Sequence, residues 1–158
     1  MGRIPAIATF LGALSIALPG AWAKSLPSLP APVQAAVQES REACAPDKAT
    51  LGKGFVQRRD VNGDGVEDFV LDYAAFDCGG SSTYFCGSSG CLTQVFASLK
   101  GGGYAKVLDE NVQGIQFKQI KGRAALLIGL HGSGCGRVGA AACNMTLYWN
   151  GERFSPAN

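Results

Sequence analysis

DVNGDGVEDFVLDYAA, residues 60–75, joins an acidic, glycine-bearing loop directly to a run of β-formers, and this junction decides the fold. Phe69 to Ala75 reads as a strand entered from a tight polar turn. The same cadence recurs along the chain. Phe55-Val56 leads into the acidic loop, and Leu92–Leu99, Tyr104–Leu108, Val112–Ile120, Ala124–Leu130 and Met145–Trp149 are further short apolar or alternating runs. The turns between them are explicit: Gly101-Gly102-Gly103, Lys121-Gly122 and Asn150-Gly151. Asn-Gly signals a two-residue hairpin, because both central residues of that turn need positive φ. About eight short strands with glycine turns predict a mainly β, mostly antiparallel domain.

An internal duplication is visible at an offset of 57 residues, which carries Cys78 onto Cys135 and Cys86 onto Cys143. It also lays Val70-Leu71 on Leu127-Ile128 and Tyr73 on Leu130. The halves end alike, with Lys100–Tyr104 in one and Asn150–Phe154 in the other. The expectation is two four-stranded antiparallel meanders, spanning roughly 52–109 and 110–158, packed as a small sandwich or one coiled sheet. Two such units are too few to close a propeller ring.

The first 23 residues read as a secretory signal: Arg3, an apolar run from Ile4 to Leu18, Pro19-Gly20, then Ala21-Trp22-Ala23 with small residues placed for cleavage. The run is 15 residues long, short of the roughly 20 a spanning helix needs. Residues 24–32 form a Pro-rich linker, and residues 33–51 a short helix (Val33 to Ala43) with its connection. No later segment is apolar enough to span a membrane. Without the leader, 13 basic and 12 acidic side chains remain, which offers no electrostatic reason for a nucleic-acid partner. The expected location is exported, periplasmic or secreted.

Six cysteines in an exported chain point to three disulfides. Zinc thiolates are the rival, but no CxxC pair exists and the only histidine is His131. The duplication favours Cys78–Cys86 and Cys135–Cys143, which leaves Cys44–Cys91 to tie the helix to the sheet. The competing set has Cys44–Cys78 with Cys86–Cys91.

In the acidic loop, Asp60, Asn62, Asp64 and Asp68 place oxygen side chains at alternating positions. Calcium takes six to eight hard oxygen ligands. Gly65 permits a sharp reversal, and the main-chain carbonyl of Val66 can turn inward as a further ligand. The alternative is a metal-free polar turn, since Asn-Gly and Asp-Gly form turns by themselves. The loop resembles the calcium loops of FG-GAP and VCBS-type (integrin-α-like) repeats, with their DxNxDGxxD core. The resemblance covers about 20 residues and implies a structural calcium held by Asp60, Asn62, Asp64, Val66 and Asp68 between two strands. The loop is also similar to the start of an EF-hand, but Leu71 stands where that motif needs a bidentate Glu.

Tyr84 and Phe85, at the middle of the cysteine-bounded stretch 78–91, are a possible contact for a protein or carbohydrate partner, or else a lid on the sheet edge. His131 and Ser133 raise the prospect of a small hydrolase with Asp72 or Asp77 as the acid, although no G-x-S-x-G elbow surrounds the serine. Lacking a second histidine or a cofactor loop, the chain reads first as a non-enzymatic, calcium-binding interaction module of the cell envelope. The alternatives are the hydrolase and a purely structural envelope component.

Overall fold

A helix meets the chain's first sheet through a spacing that is legible residue by residue. Val33, Ala36, Val37 and Ser40 recur at three- and four-residue intervals and are the buried residues of α1 (Ala31–Ala43). Pro32 occupies the first turn, where its missing N–H costs no helical bond. The structure, a computed structural model, describes residues 28–139 and 141–157. The expected leader, and residues 24–27 of the linker, lie outside the described residues.

After α1 come β1 (Ala49–Leu51), β2 (Val56–Arg59), β3 (Asp68–Asp72), β4 (Phe76–Cys78), β5 (Cys86–Gly87) and β6 (Gly90–Ser98). They are followed by β7 (Tyr104–Val112), β8 (Gly114–Ile120), β9 (Arg123–Leu130), β10 (Cys143–Trp149) and β11 (Phe154–Pro156). The first large sheet sets β2, β3, β6 and β7 side by side, all antiparallel, with β5 folded back on the start of β6. The second is the plain meander β8-β9-β10-β11. β1 and β4 form a separate two-stranded ribbon. The chain is thus mainly β and antiparallel as expected. The second sheet is the expected four-stranded meander, whereas the first has five strands, with β4 and β5 intervening along the chain between β3 and β6.

The layers follow from strand alternation. On β3, Phe69 and Leu71 face α1 while Val70 faces the second sheet; on β6, Phe96 faces α1 while Val95 and Ala97 face the second sheet. Both faces of the first sheet are therefore covered, which is why β3 reads as an unbroken apolar run. The core under α1 is aromatic, with Phe55, Tyr73, Phe76 and Phe85 at centroid distances of 4.8–5.7 Å. The core between the sheets is aliphatic, built on Val70, Val95, Leu108, Leu126, Ile128 and Leu147.

Several expectations change. The strand expected over Phe69–Ala75 ends at Asp72, whose side chain accepts the Ala74 N–H at 3.1 Å and turns Tyr73–Ala75 into a 3₁₀ turn. β7 continues through Asp109-Glu110-Asn111 to Val112, so the expected boundary at 109/110 falls inside a strand. The two-residue hairpin with positive φ at both centres is Lys121-Gly122 (51° and 77°). Asn150-Gly151 instead opens a four-residue loop in which Asn150 Oδ1 accepts the N–H groups of Glu152 and Arg153.

The disulfides join Cys44–Cys78, Cys86–Cys91 and Cys135–Cys143. The favoured Cys44–Cys91 and Cys78–Cys86 are overturned, and the competing set holds. The reason is the β1–β4 ribbon: its register places Cys78 opposite Ala49, just after the helix end at Cys44. β5 and β6 set Cys86 directly across from Cys91. The cysteines that correspond in the two halves therefore do not pair in the same way.

Candidate functional site

The acidic loop leaves β2 and re-enters the sheet as β3. Gly63 and Gly65 have φ of 82° and 81°, a region that side-chain-bearing residues avoid. Those reversals let the alternate side chains cap the loop's own backbone. Asp60 accepts the N–H groups of Gly63 (2.6 Å) and Gly65 (2.9 Å). Asn62 Oδ1 accepts from Asp64 N (3.0 Å), and Asp64 Oδ1 from Val66 N (2.8 Å). These are nested Asx turns.

A residue outside the motif anchors the loop. The Asn62 amide donates to the Ser98 carbonyl at 3.0 Å and to Asp64 Oδ2 at 3.0 Å. The Ser98 hydroxyl lies 2.8 Å from Asp64 Oδ2 and 2.8 Å from Asp68 Oδ1. Asp68 is fully buried and also accepts from Val61 N and Ser98 N, each at 2.7 Å. Burial, the largest single influence, pushes the Asp64 carboxyl up. Bonds from the Val66 N–H, the Ser98 hydroxyl and the Asn62 amide outweigh it and hold that carboxyl below its ordinary 3.8.

Hard oxygen donors of this kind suit calcium. As arranged here, Asp60 commits both oxygens to the loop backbone, and Asp68 commits both to Val61 and Ser98. Among the described residues no three Asp, Glu, His or Cys side chains converge closely enough to hold a metal ion.

A second feature is a groove of about 740 Å³ between β7 and the open side of the second sheet. Leu108, Ile128, Leu130, Met145, Leu147 and Phe154 give it an apolar floor; Lys106–Asn111 form one wall, and His131 and Ser133 the other. Strand alternation sorts the charges on β7. Asp109 pairs in register with Gln94, accepts its amide at 3.1 Å and ion-pairs with Lys106, on the helix-facing side. Glu110 lies two residues from both Leu108 and Val112, which are buried between the sheets, and so points with them toward the groove.

His131 precedes the 3₁₀ turn Gly132–Cys135, and its Nδ1 lies 2.8 Å from Ser133 Oγ. Its ring lies against Gly139, where an added Cβ would come within 2.5 Å of Cε1 and oblige the imidazole to move. Neither carboxylate considered as a third member reaches the imidazole. Asp72 bonds Ala74 N and Gln57, and Asp77 bonds Gly80 N.

Phe85 is half-buried in the aromatic core, while Tyr84 is 53% exposed and its hydroxyl donates to the Ala43 carbonyl at 2.7 Å. Sequence reasoning missed Ser98, Asp109 and Glu110. Ser98 carries no local signal, since it meets the loop only through strand pairing. Asp109 and Glu110 fall between the runs 104–108 and 112–120 and carry no strand signal of their own. No family model matches the chain, and no curated protein or solved structure is significantly similar to it.

Proposed function

We propose that this chain is an exported binding module of the cell envelope that captures a partner in the groove between β7 and the second sheet. Three disulfides support an oxidising compartment. Among the described residues no helix is long and apolar enough to cross a membrane. The observation that carries the reading is the groove itself: apolar side chains of the inter-sheet core form its floor beneath a polar rim, the usual make-up of a ligand site. A photo-crosslinking residue at Met145, compared with one at the remote, exposed Thr50, tests it in envelope extract. Crosslinks specific to position 145 support the reading; crosslinks of equal yield from both positions, or from neither, refute it.

Calcium belongs to the same proposal, with Asp60, Asn62, Asp64, Asp68 and the Val66 carbonyl as ligands in a structural role, the ion replacing the backbone N–H groups that the Asp60 and Asp68 carboxylates now accept. Its support is the alternation of hard-oxygen side chains about Gly63 and Gly65. Extracellular sites of this kind bind at about 10⁻⁴–10⁻³ M, so millimolar calcium should give calorimetric heat and a raised Tm that Asp60→Ala abolishes. Absence of both effects removes calcium from the reading.

One observation favours a second reading. The 2.8 Å contact between His131 Nδ1 and Ser133 Oγ lies in the groove wall, so the imidazole could take the serine proton as the oxygen attacks an acyl group. Among the described residues no carboxylate bonds the imidazole, which leaves the pair without the orienting member of a triad. Fluorophosphonate labelling lost in Ser133→Ala would establish the hydrolase, and absence of labelling in the unmodified chain would exclude it.

A further inference from the structure

We propose that the groove takes an extended peptide carrying a lysine or arginine, bound as an added strand along β7. This rests on the binding-module reading and gives it a ligand class.

The first argument is the backbone. β7 is nine residues long and, among the described residues, pairs only with β6. Among the described residues, the N–H and C=O groups of Lys106–Asn111 on its other edge have no protein partner. A long unpaired edge is a template for another strand, which folded proteins blunt by shortening, covering, charging or bulging it. β7 is bulged opposite Val95 and Phe96, which leaves Leu108–Val112 as its regular run. β11, by contrast, is three residues long and ends in Pro156. β7 is neither short nor interrupted by proline, and it borders an apolar trough.

The second argument is the floor. Along an added strand, every second side chain would point the same way as Leu108, Glu110 and Val112, toward Leu130, Met145 and Leu147. Strand addition works in this way in general: main-chain bonds supply affinity, and pockets for alternate side chains supply selectivity.

The third argument is charge. Lys106 and Asp109 neutralise one another on the helix-facing side of β7. Glu110, on the groove side, has no cationic partner among the described residues. A carboxylate beside apolar side chains favours a cation flanked by aliphatic groups over an acidic or neutral ligand. A lysine or arginine at one inward position of the added strand, with aliphatic residues at the neighbouring inward positions, meets both demands.

The test is fluorescence anisotropy on the oxidised chain with three short labelled peptides. One alternates leucine with threonine around a central inward lysine, the second has glutamate in place of that lysine, and the third is the lysine peptide N-methylated at alternate amides. The lysine peptide should bind, the glutamate peptide about tenfold or more weakly, and the N-methylated peptide not measurably. Glu110→Gln should reduce the preference for lysine over glutamate while leaving the circular dichroism spectrum unchanged. Equal binding of the lysine and N-methylated peptides, or a lysine preference untouched by Glu110→Gln, overturns strand addition opposite Glu110. If no peptide binds while Met145 still crosslinks a partner, the peptide class is wrong and the binding-module reading stands. If the crosslink fails as well, both fall.

Discussion

Asp68 on β3 and Ser98 on β6 are joined twice: the Ser98 N–H donates to Asp68 Oδ1 at 2.7 Å, and the Ser98 hydroxyl lies 2.8 Å from the same oxygen. With Val61 N on Oδ2, a fully buried carboxylate binds the acidic loop to a strand 30 residues further along the chain. Replacing Asp68 by alanine strands two buried N–H donors, a loss of about 2–4 kcal/mol. Urea unfolding should show it, and Asp77→Ala, at a partly exposed position of β4 where the carboxylate accepts the Gly80 N–H, should cost well under half as much.

The same hydroxyl, also 2.8 Å from Asp64 Oδ2, is one of the groups that lower the Asp64 carboxyl. The Asp64 carboxyl is held below 3.8 in the folded chain. As pH falls from that ordinary value toward the lowered folded one, the unfolded chain takes up a proton that the folded chain does not, so stability declines on acidification. Ser98→Ala removes one of the bonds responsible. The Asp64 carboxyl-carbon resonance should then titrate at higher pH than in the unmodified chain, and the acid-side loss of stability should become shallower.

Tyr73 governs the alkaline side. Burial, first, and then the charges of Asp109 and Glu39 push its hydroxyl above the ordinary 10.0, while the bond to Ser40 works the other way. Between 10.0 and the raised value, the unfolded chain has released a proton that the folded chain keeps, so stability falls as pH rises through that interval. Tyr73→Phe should be less stable at pH 7, because Gln94 loses its donor at 3.0 Å. It should also lose less of its remaining stability above pH 10, as read from urea midpoints.

The disulfides should rank by the loop each closes. Cys44–Cys78 spans 34 residues, Cys135–Cys143 eight and Cys86–Cys91 five. In the chain-entropy model that is about 4 kcal/mol for the first and roughly 2–3 for the others. Pairwise replacement by serine should lower the urea midpoint in that order, and peptide mapping without reduction should recover the three pairs.

Much of the fold was legible because strands and turns announce themselves locally. The alternating runs at 92–99 and 124–130, the apolar face at Val33, Ala36 and Val37, and the turn at Lys121-Gly122 are all found where those residues place them. The short strands β1, β4 and β5 were not foreseen, because two or three residues carry no periodicity. The end of β7 was missed for a different reason. Asp109-Glu110-Asn111 disfavours strand in isolation, yet Asp109 finds Gln94 and Lys106 once β6 is alongside. At the acidic loop the oxygen-bearing positions were readable, but their partners were not.

The sequence by itself determined the β class, the helix and the presence of an acidic loop with oxygen-bearing side chains at alternate positions, since each depends on neighbours within a few residues. Only the tertiary structure decided which cysteines pair, that Ser98 anchors the loop, and that β7 leaves an open edge beside an apolar groove. Those outcomes depend on strand order and register. Both are set by how two sheets and a helix share their buried faces, a global balance that no local stretch encodes.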